Sequence, residues 1–84
     1  MNYTVSILRV AQKQLAKIDQ AQRKRVVEAI FSLAESPRPT GCKKLSARSA
    51  WRIRVGQYRV IYEVHDDRLV VLVVTIGNRK DVYR

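Results

Sequence analysis

Apolar and basic residues alternate along Trp51-Arg52-Ile53-Arg54-Val55, and after Gly56-Gln57 the chain resumes as Tyr58-Arg59-Val60-Ile61-Tyr62. A period of two marks a half-buried strand, and a short glycine-containing break between two such runs marks a hairpin. With Gly56 and Gln57 as a two-residue turn, Val55 faces Tyr58, Arg54 faces Arg59, Ile53 faces Val60 and Trp51 faces Tyr62. One face of this ribbon (Trp51, Ile53, Val55, Tyr58, Val60, Tyr62) is a core. The opposite face carries Arg52, Arg54 and Arg59.

Upstream, Tyr3, Val5 and Ile7 alternate with polar residues, which predicts a first strand over Asn2 to Ile7. Ala11, Leu15 and Ile18 then follow helical spacing, with Gln12, Lys13 and Lys17 turned outward. The start of this helix lacks the usual capping hydroxyl or carboxylate near Leu8 and Arg9. Asp19 supplies such a cap for a second helix running to about Glu35, with Val26, Val27, Ile30, Phe31 and Ala34 as its apolar stripe. Ser36-Pro37 ends it, because the residue before proline is pushed out of the helical region. Pro37 to Ala50 reads as a long basic loop with Leu45 as its one clear anchor.

Past the hairpin, Asp66-Asp67 marks a turn, and the uninterrupted apolar run Leu69 to Val74 predicts a central strand covered on both faces. Pairing through a two-residue Asp66-Asp67 turn sets Val74 opposite Arg59. The strand end at Ile76-Gly77 thereby returns to the end of the sheet that holds Gly56-Gln57. The closing residues from Asn78 to Arg84, among them Arg79 and Tyr83, are expected close to Arg54 and Arg59.

Charge sharpens this picture. The chain has 84 residues, one domain's worth, with 46% hydrophobic and 29% charged residues and a net charge of +10. From Ser36 to Tyr62 there is no acid, whereas Arg38, Lys43, Lys44, Arg48, Arg52, Arg54 and Arg59 all fall there. That asymmetry favours nucleic acid or an acidic protein partner over a neutral small substrate. The single cysteine, Cys42, cannot form an internal disulfide, and beside Lys43 and Lys44 it makes no metal site. With no bilayer-length apolar run and no signal peptide, the expected location is cytoplasmic, with no membrane partner.

Arg54 and Arg59, as cross-strand partners about 5 Å apart at Cβ, repel by roughly 1 to 3 kcal/mol at that separation. A rigid cationic face of this kind is also what a polyanion site requires, since a guanidinium matches phosphate with a bidentate fork. Glu63, Asp66, Asp67 and Asp81 have no spacing that sets two carboxylates across a substrate, and His65 sits beside a turn at the far end of the hairpin. No metal-ligand cluster is present in the sequence, and no cofactor is expected. RNA cleavage using the substrate's own 2′-hydroxyl fits what remains, with arginines aimed at the charge that grows on phosphorus. Tyr83 could stack on a splayed base or fold back on the sheet.

The order of elements, with Trp51-Arg-Ile-Arg-Val-Gly-Gln-Tyr-Arg-Val-Ile-Tyr62 and Ile76-Gly-Asn-Arg-Lys-Asp-Val-Tyr-Arg84, resembles the RelE/ParE toxin superfamily of toxin–antitoxin systems, nearest its RelE branch. The similarity runs over nearly the whole chain, residues 1–84 as one domain. It implies an α+β fold, β-α-α-β-β-β, with two N-terminal helices packed on one face of a curved, largely antiparallel four-stranded sheet. It also implies a ribosome-dependent endoribonuclease that cuts mRNA in the A site without metal and so inhibits translation. By the resemblance Arg52 and Arg54 match a basic pair on the second strand. Arg59 matches the charge-stabilising arginine on the third, Arg79 the residue that protonates the leaving group, and Tyr83 the base-stacking tyrosine. Lys43, Lys44, Arg48, Lys80 and Arg84 are expected to add contacts to RNA.

The chain departs from the family pattern in carrying arginine at both positions of the basic pair, where lysine is frequent, and Asn78 where relatives often have histidine. Arginine stays protonated, so neither Arg52 nor Arg54 serves as general base. The implied partners are a RelB-like antitoxin with an acidic or apolar wrapping segment, the ribosome with its mRNA, and operator DNA through the antitoxin only. Two other activities fit the same scaffold. One is a ParE-like poison of DNA gyrase, which does not need Arg79 or Tyr83; the other is a non-catalytic RNA- or partner-binding module.

Overall fold

The computed structural model describes residues 2–45 and 49–78. In chain order the elements are β1 (Thr4–Ile7), α1 (Arg9–Ala16), α2 (Gln20–Ser32), β2 (Lys43–Lys44), β3 (Ala50–Val55), β4 (Tyr58–His65) and β5 (Val70–Asn78). They form one sheet of order β1-β5-β4-β3-β2, in which β1 runs parallel to β5 and the other neighbours are antiparallel. The expected α+β class holds, with one strand more than the four anticipated. The addition, β2, is a pair of exposed lysines within the Pro37–Ala50 segment, and it has no apolar alternation to announce it.

Both helix starts behave as their sequences dictate. Leu8 precedes α1 without any side-chain cap, whereas the Asp19 carboxylate accepts the Gln22 backbone N–H at 2.9 Å and opens α2. The helices pack on one face of the sheet. Ala11, Ile18, Val26, Ile30 and Leu33 meet Ile53, Val60, Tyr62, Val64, Val71, Val73 and Ile76 there in one core. Along α2 and its C-cap residue the buried line runs through Val26, Ile30 and Leu33, and Phe31, assigned to the stripe from sequence, is 56% exposed. The helix also ends at Ser32, short of Glu35, and β1 begins two residues later than expected.

The β3–β4 hairpin has the predicted register: Val55 pairs with Tyr58, Arg54 with Arg59, Ile53 with Val60 and Trp51 with Tyr62. Gly56 has φ of 60° and Gln57 does not share the left-handed region, which is the type II′ arrangement that suits the right-handed twist of a hairpin.

The β4–β5 register differs from the expectation. The connection spans Asp66 to Leu69, with Leu69 at φ 54°, and His65 pairs with Val70. A bulge follows, because Tyr62 pairs with Val73 but Ile61 with Thr75, leaving Val74 as the extra residue. This is why Val71, Val73 and Ile76 all reach the core although their spacing is two and then three. Gly77, not Val74, stands opposite Arg59. β5 is interior in the sheet as predicted, yet only one of its faces is fully buried, since Val70, Leu72 and Val74 remain half-exposed.

Two polar networks tie down the edges. Past the end of β1, the Gln14 side-chain carbonyl accepts the Ile76 N–H at 2.7 Å and the Thr75 hydroxyl at 3.1 Å, occupying the edge of β5 that no strand pairs. At the opposite end, the two terminal nitrogens of Arg38 grip the Asp66 carboxylate at 2.7 and 3.3 Å, and the Tyr3 hydroxyl donates to the same carboxylate at 2.6 Å. The Arg38 guanidinium and the Tyr3 hydroxyl hold the Asp66 carboxyl below its ordinary range, while the proximity of Asp66 raises the Tyr3 hydroxyl. Buried Tyr62 donates to the Pro37 carbonyl at 2.7 Å, and burial pushes its own phenol up.

Candidate nucleic-acid interface

Cross-strand partners project to the same side of a sheet, so the register alone assembles a cationic row. Arg54, Arg59 and Gly77 lie side by side across β3, β4 and β5, on the face opposite the helices. The next row toward the sheet interior is Lys43, Arg52, Ile61 and Thr75. Arg52, Arg54, Arg59 and Lys43 therefore share one face within two adjacent rows.

Their environments are unequal, and alternation gave no sign of this. Arg54 is exposed, whereas Arg52 and Arg59 are only 4% and 5% exposed. The three were expected as a uniform basic face, but two of them are sunk into it. Nη1 of Arg52 is buried with no hydrogen-bond partner among the described residues. Leaving a buried charged donor unmatched is unfavourable by about 1 to 3 kcal/mol or more, unless an anion supplies the acceptor.

Lys44 is placed elsewhere. It pairs with Trp51 on the helix side of the sheet, with its ammonium 6.0 Å from the centre of the Trp51 ring, and Arg38 lies 5.2 Å from the same ring. Arg48, Arg79, Lys80, Tyr83 and Arg84 lie outside the described residues. β5 ends at Asn78 opposite Tyr58, so the chain departs for residue 79 from the same end of the sheet as Arg54 and Arg59.

Two features escaped the sequence reading. The β5 partner of Arg59 is a glycine, so position 77 itself adds no side chain to that row. Arg25 of α2 also reaches the hairpin tip: a Cβ on Gly56 would lie 3.9 Å from its Nη1 and 3.5 Å from Oε1 of Gln22. The cationic run Arg23-Lys24-Arg25 was the available signal, but helical spacing alone does not say which member meets the sheet.

The other titratable candidates stand apart. His65 ends β4 beside the turn, as expected, and its Nε2 is 2.9 Å from Glu63, at the far end of the strand from Arg59. Cys42 is half-buried against the core. No group of three His, Cys, Asp or Glu residues among those described is arranged to hold a metal ion. Among the described residues no helix is long and apolar enough to cross a membrane. What the site offers is a set of fixed guanidinium donors on one rim, a geometry for binding phosphate and for stabilising charge that develops on it.

Known proteins resemble this chain in sequence and in fold. Toxin RelG of Mycobacterium tuberculosis is 32% identical over all of this chain and 99% of its own length. The mRNA interferase toxin RelE of Escherichia coli is 27% identical over 95% of this chain and 86% of its own. Among solved structures, the archaeal RelE–RelB complex from Pyrococcus horikoshii superposes with a TM-score of 0.86 at 28% identity, covering 98% of this chain and 100% of that one. A RelBE-type toxin–antitoxin complex from M. tuberculosis gives 0.83 at 27% identity, covering 94% and 100%. The family model for the ParE toxin of type II toxin–antitoxin systems matches residues 5–83. On these likenesses and the fold they share, the chain belongs to the RelE/ParE toxin superfamily, in its RelE-like branch.

Proposed function

We propose that the protein is the toxin of a RelB-paired system and acts as a ribosome-dependent endoribonuclease on mRNA in the A site. The observation that carries the reading is the directly opposed pair Arg54 and Arg59 at the rim where β5 ends. Two guanidiniums side by side on one rim match the two free oxygens of a single phosphodiester.

In the proposed reaction the substrate's 2′-oxygen attacks the adjacent phosphorus and the P–O5′ bond breaks. A 2′,3′-cyclic phosphate remains on one fragment and a hydroxyl on the other. The 2′-hydroxyl gives its proton to water and the departing 5′-oxygen takes one, with Arg79 as the proposed donor, its own proton restored from water so that the guanidinium ends the step charged. No metal is needed to generate the nucleophile, because the substrate carries it. Arg54 and Arg59 clamp the phosphate, Arg52 supplies charge from below, and Tyr83 stacks a base. Lys43, Lys44, Arg48, Lys80 and Arg84 extend the contact with RNA. The positive charge also suits a RelB-like antitoxin with an acidic segment, through which operator DNA would be reached. A cytoplasmic location follows from a ribosomal target.

Support comes from relatives named as mRNA interferases and from the buried Arg52 donor on the same face, which has no acceptor among the described residues. The matching family model is described as a ParE toxin, and the ParE-like poisoning of DNA gyrase weighed from the sequence stands as the second reading. Inducing the protein in cells while following translation and chromosome integrity separates the two. Translation arrest with codon-spaced mRNA ends before any DNA break supports the nuclease. DNA breaks that precede arrest would replace it with the gyrase reading, and neither effect would leave a binding module.

A further inference from the structure

The site end of the sheet has a second concavity, on the helix side. Gln14, Lys17 and Ile18 at the end of α1 face Tyr58, Ile76 and Gly77 across a cleft of about 280 Å³. That lies near the lower end of the ~300–1,000 Å³ usual for small-ligand pockets, enough for one planar ring and little more. Its make-up is specific. Ile18 and Ile76, 6% and 1% exposed, form an apolar floor, and the half-buried Tyr58 supplies an aromatic wall. Lys17 stands exposed at the mouth. The hydrogen bonds from Ile76 and Thr75 occupy Oε1 of Gln14, which holds that amide in one orientation and leaves its amino group as the donor.

Gly77 belongs to both sites. It stands opposite Arg59 on the arginine face and also lines this cleft, so no side chain at position 77 divides them. We propose that the cleft is a nucleobase subsite. It takes the base of one ribonucleotide in the strand whose neighbouring phosphate rests on Arg54 and Arg59, with the strand bending over Gly77. This rests on the nuclease reading for the identity of the strand, but not for the chemistry of the cleft. A heteroaromatic ring wants an aromatic face, an apolar bed and an amide donor at its edge, with a cation near its phosphate. An aliphatic ligand would use neither the Gln14 amide nor the Tyr58 ring.

The test has two arms. In the first, the isolated protein is titrated with each of the four ribonucleoside 5′-monophosphates, and with ribose 5-phosphate as the base-free control, following backbone amide resonances. Nucleotides should move Ile18, Ile76 and Gly77 where ribose 5-phosphate does not. Tyr58→Leu and Lys17→Gln should each weaken that response about tenfold, and Tyr58→Phe should preserve it. Identical shifts from ribose 5-phosphate, or none from any nucleotide, would overturn the subsite. Lys17→Gln alters an exposed side chain and carries the test should Tyr58→Leu not fold. In the second arm, cut sites on a message are mapped in translating extract. Lys17→Gln should redistribute cleavage among sites, while an unchanged distribution limits the cleft to free nucleotides and overturns its use by the message. An inactive wild type would sink the nuclease reading alone, and the first arm would still decide the cleft.

Discussion

Arg59 stands directly opposite Gly77 across β4 and β5, with Arg54 as its partner on the other side. The row thus pairs a sunken arginine with an exposed one and has a glycine as its third member.

A side chain added at position 77 of this row should damage function more than folding. Gly77→Leu sets a side chain about 5 Å from Cβ of Arg59. A displacement of ~1 Å at a reacting centre can reduce the rate ~100-fold. A loss of that order in mRNA cleavage is expected, with the thermal midpoint little changed. Both are measurable on one purified variant.

Arg52 predicts the opposite balance. Its buried Nη1 lacks a protein acceptor among the described residues. Arg52→Met keeps the volume and removes the charge, so the free protein should gain about 1 kcal/mol or more, or roughly 4–8 °C in a domain of this size. Cleavage should fall at the same time. A destabilised Arg52→Met protein would mean that the guanidinium is already matched without RNA.

The Arg38–Asp66–Tyr3 cluster gives a pH window. The Asp66 carboxyl is lowered in the folded state, so its contribution is complete above the usual carboxylate range of about 4 and is lost as pH falls through the lowered value. The Tyr3 hydroxyl is raised, so its contribution is complete below about 10 and is lost as pH rises through the raised value. Amide exchange at Arg38 and Leu69 should be slow between these limits and faster outside them. In Asp66→Asn the acid-side dependence should disappear.

The hairpin turn offers a backbone test. Gly56 has φ of 60°, while a Cβ there meets nothing nearer than 3.5 Å. Gly56→Ala should cost about 1–2 kcal/mol through conformation and not through collision. Urea unfolding with an unchanged m-value would show it.

How far these features could be read in advance depended on whether each residue marked its own face. In β3 and β4 arginines alternate with apolar residues, so a slip of one position would bury charge, and the register followed. Val70 to Val74 carries no polar marker. Nothing there distinguishes one face from the other, and the extra residue at Val74 left no trace. Leu69 at φ 54° is an unfavoured choice for a branched residue, so the four-residue turn was hidden as well. β2 consists of two lysines whose pairing with Arg52 and Trp51 comes from tertiary structure alone. Alternation also gives direction and not depth, which is why Arg52 and Arg59 read as surface residues. In α2 the polar face is clear, but Phe31 and Leu33 both border the stripe, and only packing against the sheet selects Leu33.

The central claim is that Arg54 and Arg59 act together on one phosphodiester. Primer extension across a message in translating extract tests it most directly, comparing wild type with Arg54→Gln and Arg59→Gln, each shown to be folded by circular dichroism. Removing one donor from a preorganised anion site typically costs ~10²–10³ in rate, so codon-spaced ends should appear with wild type and fall at least ~100-fold in either variant. Cleavage by both folded variants at the wild-type rate and positions would contradict the account.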